Sequence, residues 1–255
     1  MIYPFDAEAV KNLAVDAGRA VMEIYGKDFA VYEKADSSPV TDADLMSERL
    51  IFDGLKRLTP DIPLVGEEHT AAGEFADLSQ ELFWLVDPLD GTADFVKRNG
   101  EFSVNIALIC GDAPVFGAVY APVSATAYWT ESPTRAFVER DGERQELKTR
   151  DVPADGFTVL VSRSHRDDSV VEKLLAGRTV KAMIPCGSSI KFCRIAEGAA
   201  DAYPCSHRTH EWDTAAAHAV LRAAGGDVLD DEGNPLTYRK KDLLNPCLLS
   251  LGKIK

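Results

Sequence analysis

The 255-residue chain carries 41 acidic and 28 basic residues, and its formal net charge of -13 argues against a general nucleic-acid or anionic-membrane surface. This length suffices for one large domain or two ordinary ones. The five cysteines are scattered without a Cys-x-x-Cys pair, so we expect reduced thiols. No apolar run approaches the roughly 20 residues of a membrane span, and residues 1–6 lack a basic n-region and a signal core, so we expect no signal peptide. We therefore expect a cytoplasmic protein without an integral membrane segment, with peripheral attachment to the inner membrane as an alternative.

Two amphipathic helices are predicted at the start of the chain. Apolar residues recur at helical spacing from Ala7 to Tyr25, and Gly26 follows as a stop signal. A second helix is expected to begin at Thr41-Asp42-Ala43-Asp44 and to end at Thr59-Pro60. Asp44 has two interpretations, because it is the last residue of a Thr-x-x-Asp capping box and also a candidate catalytic carboxylate.

Acidic residues follow two short predicted strands. One apolar run ends at Gly66-Glu67-Glu68, and another stops at Asp87-Pro88-Leu89-Asp90-Gly91-Thr92. Open α/β sheets bind ligands at such strand ends. Asp87 and Asp90 should resist joint ionisation unless a cation neutralises them, and hard oxygen ligands on a small turn suit Mg²⁺. The alternatives are a purely structural turn at the second run and a solvated acidic loop at the first.

The rest of the chain divides into two patterns. Alternating strands are predicted at 102–109, 114–120, 125–130, 136–140 and 145–149, which makes the first half α+β with an antiparallel sheet. A polar linker is expected at 150–156, so we place one part at 1–152 and a second at 153–255. In the second part, strands at 157–161, 180–184, 199–203 and 248–251 alternate with helices at 169–175, 188–197 and 213–224, which is an α/β pattern.

Three stretches of the second part are candidate sites. Asp213, after Glu211-Trp212, is suited to be a helix N-cap or a functional acid. Gly187-Ser188-Ser189-Ile190-Lys191 opens a helix with hydroxyls and a cation, so it is either an anion site or an ordinary capped helix. His165 is either an anion contact or a loop residue. Residues 205–210 contain Cys and His but lack a separated second pair of ligands, which argues against zinc.

Taken together, these residues resemble the lithium-sensitive, magnesium-dependent phosphatases of the inositol monophosphatase superfamily. The shared elements, in chain order, are Asp44, Glu67-Glu68, Asp87 to Thr92, Trp212-Asp213 and Gly225-Gly226. Residues 34–41, 95–108, 162–165 and 187–193 look closer to the bacterial 3′(2′),5′-bisphosphate nucleotidases within it. The likeness covers nearly the whole chain and implies a layered αβαβα sandwich with an active site between its two parts.

The resemblance also implies a site and a reaction. The implied ligands of two or more Mg²⁺ ions are Glu67, Asp87, Asp90, Asp213 and the Leu89 carbonyl, and the implied catalytic residues are Glu67, Thr92 and Asp44. The implied substrate contacts are Glu67, Leu89, Asp90, Gly91, Thr92, His165, Ser188, Ser189, Lys191 and Asp213. The implied substrate is a small phosphorylated nucleotide, adenosine 3′,5′-bisphosphate, which would be hydrolysed to AMP. 3′-Phosphoadenosine 5′-phosphosulfate is a second candidate substrate, and the protein would be a homodimer or a monomer.

Two departures from the family pattern bear on substrate choice. Ala217 stands where the helix after Trp-Asp usually has Gly, and residues 205–208 replace a stretch that usually carries Arg and then Gly-Pro. Two alternatives therefore stay open beside the nucleotidase. One is an inositol or sugar phosphatase of the same superfamily. The other is a non-catalytic phosphometabolite-binding protein, which predicts the loss of at least one metal carboxylate, whereas the sequence retains all of them.

Overall fold

The structure is a computed structural model that describes residues 3–34, 38–75, 77–163 and 166–253. Its first helices are α1 (Ala7–Tyr25), α2 (Asp42–Leu58), α3 (Glu67–Ala71) and α4 (Thr92–Val96). The strands of this half are β1 (Val31–Glu33), β2 (Pro39–Thr41), β3 (Leu64–Gly66), β4 (Leu82–Asp90), β5 (Ser103–Cys110), β6 (Ala113–Ala121), β7 (Thr126–Ser132), β8 (Arg135–Arg140) and β9 (Glu143–Glu146). The second half contains β10 (Phe157–Ser162), α5 (Asp168–Leu174), β11 (Val180–Cys186), α6 (Ile190–Ala196), β12 (Ala202–Cys205), α7 (Trp212–Ala223), β13 (Asp227–Asp230) and β14 (Leu248–Leu251).

Two large sheets organise these elements. The first has seven strands in chain order from β3 to β9, with β3 parallel to β4 and every other neighbouring pair antiparallel. The second has five strands in the order β11-β10-β12-β14-β13. In this sheet β10 is parallel to its neighbours β11 and β12, whereas β14 is antiparallel to its neighbours β12 and β13. A small β1–β2 ribbon completes the strands.

The core residues show how helices and sheets are layered. In β4, Trp84 and Val86 pack with α1 and α2, whereas Phe83 and Leu85 pack with α6 and α7 on the other face of the sheet. This split follows from the two-residue period of a strand that is covered on both faces. The second sheet contacts α6 and α7 with one face and α5 with the other. The predicted αβαβα sandwich is therefore confirmed.

One close contact sets the spacing between the first sheet and the middle helices. A Cβ added to Gly117 of β6 would lie 2.0 Å from the carbonyl oxygen of Ala216 in α7, so only glycine fits this approach. Ala217, the first departure from the family pattern, is fully buried in the same core. The helix backbone is therefore held against the strand at this point.

This contact predicts a large loss of stability in Gly117→Ala. The new methyl group would meet main-chain atoms that cannot swing away, and overpacking of this kind costs about 1–3 kcal/mol or more of the free energy of unfolding. Chemical denaturation measures the change. Gly26→Ala is the matched control, because Gly26 has a helical φ of -75° and its nearest neighbour would be 3.5 Å away. Equal stability of the two variants would contradict the close-packing argument.

Most sequence-based assignments overlap the elements of the structure, and three differ clearly. The strand predicted at 145–149 is β9, which begins at Glu143 and ends at Glu146. The bounds of α1 and β14 are as predicted. The strand predicted at 199–203 begins only at Ala202, because the amides of Ala199 and Ala200 bond to the Arg194 carbonyl at the end of α6. Asp213 is not an N-cap: Glu211 occupies that position, and Asp213 lies in the first turn of α7. The division at 152 and 153 stays a prediction.

The polar linker candidate is tied to the second half of the chain. Arg150 makes two hydrogen bonds to the buried carboxylate of Asp201, at 2.8 and 2.7 Å. Asp201 also accepts the amide of Thr158 at 2.7 Å.

Across the described residues, every helix is too short or too polar to cross a bilayer.

Candidate active site

The end of β4 brings two carboxylates to the same face of the first sheet. Asp87 pairs with Asn105 of β5 and Asp90 pairs with Ser103, so β4 uses three residue steps where β5 uses two. Residues three apart in a regular strand point to opposite faces, but the one extra residue of this β-bulge cancels the alternation. Asp87 and Asp90 therefore both face the middle helix layer, on the side of Phe83 and Leu85.

Asp213 reaches the same region from the other half of the chain. It lies in the first turn of α7, and its carboxylate accepts the amide of His210 at 2.8 Å. Asp90 and Asp213 line a cavity of about 300 Å³, and Glu67 at the start of α3 lines it as well. The cavity thus collects acids from a strand end and from the first turns of two helices.

Glu67 pairs with Lys34, but Asp87, Asp90 and Asp213 are poorly compensated by protein cations. Burial is the main cause, and the charge of Glu67 the second, that raises the pKa of Asp87 well above its usual range. Burial and the charge of Asp90 do the same for the pKa of Asp213. Burial raises the pKa of Asp90 to about 6 although Lys191 opposes the shift. Ionising all of them at once is costly in the protein alone, and divalent cations are the usual remedy.

The donor set has the chemistry of a Mg²⁺ site, and its geometry is open. Among the described residues, no three acidic, His or Cys side chains are close enough to hold one metal ion as they stand. Mg²⁺ does not require a closed protein cage, because it usually takes one or two carboxylates and completes its shell with water and substrate phosphate. The residues present therefore fit Mg²⁺.

Lys34 lies against the acids of α3, a contact that the sequence did not predict. Its ammonium is within 2.6 Å of one carboxylate oxygen of Glu67 and of one of Glu68. Burial alone lowers the pKa of Lys34, but the charges of Glu67 and Glu68 outweigh it and raise the pKa above its usual value. Burial and the charge of Glu67 raise the pKa of Glu68 to about 7. The ammonium thus supplies positive charge beside Glu67.

Glu48 of α2 fixes the backbone from which Glu67 projects. The N-cap residue of α3, Gly66, has no side chain to bond the first amides of the helix. The buried carboxylate of Glu48 accepts the amides of Glu68 and His69 instead, each at 2.9 Å. A Cβ on Gly66 would lie 2.1 Å from this carboxylate, which explains the glycine.

Asp44 caps α2 and also contacts Thr92, whereas its catalytic role stays a prediction. One carboxylate oxygen accepts the amide and the hydroxyl of Thr41 at 2.8 and 2.7 Å, completing the capping box of α2. The other accepts the Thr92 hydroxyl at 3.0 Å. Burial raises the pKa of Asp44 to about 6. The capping interpretation is thus confirmed, and the same side chain also contacts a cavity residue.

The turn after β4 is held by its own hydrogen bonds. The Leu89 amide donates to Asp87 at 3.0 Å, and the Leu89 carbonyl lies 3.1 Å from the Thr92 hydroxyl. Thr92 has one hydroxyl proton, so Asp44 and Leu89 share it as alternative acceptors. Gly91 has φ of 94°, a left-handed conformation that glycine adopts readily. Gly91 and Thr92 both line the cavity.

The predicted substrate contacts of the second half lie mostly on the cavity wall. Ser188, Ser189 and Lys191 line it. The side chain of Lys191 is buried, with its ammonium 4.8 Å from the centre of the Tyr203 ring, and no hydrogen bond to this ammonium is found among the described residues. The hydroxyl of Ser189 is already bonded to Ser103 and Asn105. His165 lies outside the described residues. These substrate contacts stay predictions.

The second departure from the family pattern also reaches this cavity. Cys205 and His207 line it, and the Cys205 thiol is 3.6 Å from Nδ1 of His207. Burial raises the pKa of the Cys205 thiol above its usual value. The altered stretch thus places a neutral thiol and an imidazole on the cavity wall, and its effect on substrate preference stays a prediction.

The fold and cavity identify the class of protein, and comparison with known proteins agrees. Residues 4–249 match the model of the inositol monophosphatase family, and the chain belongs to this family. It is 46% identical over 243 residues to the 3′(2′),5′-bisphosphate nucleotidase CysQ of Escherichia coli K12, covering 94% of this chain and 96% of that protein.

Solved structures give the same result. The crystal structure of CysQ from Bacteroides thetaiotaomicron, described as a bacterial member of the inositol monophosphatase family, has a TM-score of 0.78 and 34% identity. That alignment covers 98% of this chain and 97% of that one. An IMPase of Thermotoga maritima, 21% identical with a TM-score of 0.75 over 95% of this chain and 90% of its own, shares the fold. The family resemblance drawn from the motifs is therefore confirmed.

Proposed function

We propose that this protein is a Mg²⁺-dependent 3′(2′),5′-bisphosphate nucleotidase that hydrolyses adenosine 3′,5′-bisphosphate to AMP and phosphate. One observation supports this most directly: a single cavity combines a cluster of carboxylates with the buried ammonium of Lys191. A monophosphate needs only the metal site formed by the acids. A bisphosphate has a second anion, and Lys191 can supply a cation for it, because its ammonium makes no ion pair with any residue that the structure describes. The identity to CysQ supports the same substrate class.

The metal site would be formed by Glu67, Asp87, Asp90 and Asp213 with the Leu89 carbonyl, holding two or more ions. Bound Mg²⁺ supplies a water of lowered pKa and neutralises charge on the phosphate. The protein's own task is to place that phosphate and to move one proton.

Thr92, Asp44 and Glu67 are suited to the proton transfer. The Thr92 hydroxyl donates to Asp44 at 3.0 Å, which leaves a lone pair on its oxygen directed away from Asp44. That lone pair can accept a proton of the attacking water, while Asp44 takes the proton that Thr92 gives up. Glu67 lines the same cavity and orients the water from the side of α3. The backbone amides of Gly91 and Thr92 are proposed to hold the phosphate.

Comparing two substrates tests the proposal. Phosphate release should give a higher kcat/KM for adenosine 3′,5′-bisphosphate than for inositol 1-phosphate. Lys191→Ala should lower the bisphosphate value about tenfold or more and spare inositol 1-phosphate, because a hydrogen bond to a charged group contributes about 1.5–3 kcal/mol. Lys181→Ala is the matched control, since Lys181 is half exposed and pairs with Asp155.

The outcomes separate the alternatives. A higher kcat/KM for inositol 1-phosphate in the unmutated protein would support an inositol phosphatase instead. Equal losses on both substrates in Lys191→Ala would remove the second-anion role of Lys191. No phosphate release from either substrate in the presence of Mg²⁺ would favour the non-catalytic binding protein. Assay of 3′-phosphoadenosine 5′-phosphosulfate under the same conditions decides whether it is a second substrate.

A further inference from the structure

Ser189 connects the second half of the chain to the carboxylate of Asp90. It lies directly before α6, its side chain is only 2% exposed, and its backbone amide donates to Oδ2 of Asp90. Ser189 and Asp90 are 99 residues apart in sequence. This amide is thus a donor from the second half of the chain to an acid of the first half.

The hydroxyl of Ser189 is fixed by two side chains of β5. In the amide orientation of the structure, it donates to Oδ1 of Asn105 at 2.7 Å. Its single proton is then used. The contact of 2.9 Å between the hydroxyls of Ser189 and Ser103 must therefore have Ser103 as donor.

The same proton count shows what holds Asp90. Ser103 lies 3.5 Å from Oδ2 of Asp90, but its single proton is directed to Ser189. The Ser189 amide is therefore the principal donor to that oxygen. The place of this amide is in turn set by the hydroxyl bonds of Ser189 to Ser103 and Asn105. Those two residues lie opposite Asp90 and Asp87 in the β4–β5 pairing, so β5 pairs with the strand that carries both acids and also holds the residue whose amide bonds to Asp90.

We propose that Ser189, anchored by Asn105, is a positioning residue that orients Asp90 toward the metal, rather than a contact to the substrate. This inference rests on the proposed function in one respect, namely that Asp90 is a metal ligand. Residues that hydrogen-bond a metal ligand typically change metal affinity or activity by 10–100-fold when replaced. Ser189→Ala keeps the amide donor and loses only its anchor, so the lower end of that range applies.

Calorimetric titration with Mg²⁺ in the absence of substrate tests the proposal. Ser189→Ala should raise the dissociation constant for Mg²⁺ about tenfold, and Asn105→Ala should raise it to a similar extent. The double variant should bind Mg²⁺ no more weakly than the weaker single variant, because both changes break the same link. Thermal melts in chelator verify that each variant is folded. If Ser189→Ala does not fold, Ser103→Ala is measured in its place.

Ser188→Ala is the matched control. Ser188 is the neighbouring hydroxyl on the same cavity wall, and within the described ranges its side chain accepts the amide of Ile190 in its own turn, at 3.3 Å, and does not bond to Asp90. Its loss should leave the Mg²⁺ dissociation constant unchanged. Normal Mg²⁺ binding by Ser189→Ala, together with a raised KM for the nucleotide, would overturn the positioning role and restore Ser189 as a substrate contact. Absence of Mg²⁺ binding by the unmutated protein would overturn the proposed function, and this inference with it.

Discussion

Asp213→Asn and Asp90→Asn should each lower kcat by more than about 100-fold without unfolding the protein. Replacing residues that only support a metal ligand already costs about 10–100-fold, and these changes remove a ligand charge itself. The fold should survive, because both carboxylates are partly buried and repel each other in the metal-free protein. A neutral amide of the same shape relieves that repulsion, so the melting temperature in chelator should stay equal or rise.

Thermal melts with and without Mg²⁺ complete this test. A ligand that binds only the folded state stabilises it, so the unmutated protein should melt at a higher temperature with Mg²⁺, and the variants should lose that increase. Asp61→Asn, at an exposed position before β3, is the control and should keep both the increase and the activity. Full turnover of either variant, or of the unmutated protein in excess chelator, would refute the role of these acids.

Thr92→Ala should lower kcat by about 100-fold or more while Mg²⁺ still binds. The change removes the hydroxyl that bonds to Asp44 at 3.0 Å and leaves every predicted metal carboxylate in place. Proton transfer by a positioned group contributes about 10²–10⁴-fold to rates, which sets the expected size. The measurements are single-turnover rates and the Mg²⁺ dissociation constant. Thr92→Ser, which keeps the hydroxyl, should restore most of the rate, and an unchanged kcat in Thr92→Ala would remove Thr92 from the mechanism.

The sequence predicted well those features that depend on short spacing. The helical repeat and the glycine stop defined α1, and the apolar run before Asp87 defined β4, because periodicity and turn residues act over a few positions. The layered fold followed from the family resemblance of the ordered motifs. The bulge that turns Asp87 and Asp90 to one face was not predicted, since it depends on pairing with β5.

Contacts between distant segments were the part that the sequence did not reveal. Lys34 meets Glu67 across 33 residues, and Ser189 meets Asp90 across 99. Nothing local in either stretch specifies its partner. One signal was present but unused: Ser103 and Asn105 are polar residues two positions apart in an otherwise apolar strand. Residues with that spacing share a face, so they indicated a buried polar cluster.

One carboxylate oxygen of Asp44 bonds to Thr41 and the other to Thr92, and this affects which mutations selection would remove. Asp44 is the N3 acid of the capping box that begins α2 and accepts the Thr41 amide, so losing it harms the scaffold even where no substrate is present. Thr92 does not cap a long helix in this way, because it begins the five-residue α4. In a gene copy freed from any demand for turnover, mutations at Thr92 would accumulate early, whereas Asp44 would persist for the sake of folding. The presence of an acid at position 44 is therefore weak evidence that a related protein is an active enzyme. The presence of a hydroxyl residue at position 92 is stronger evidence.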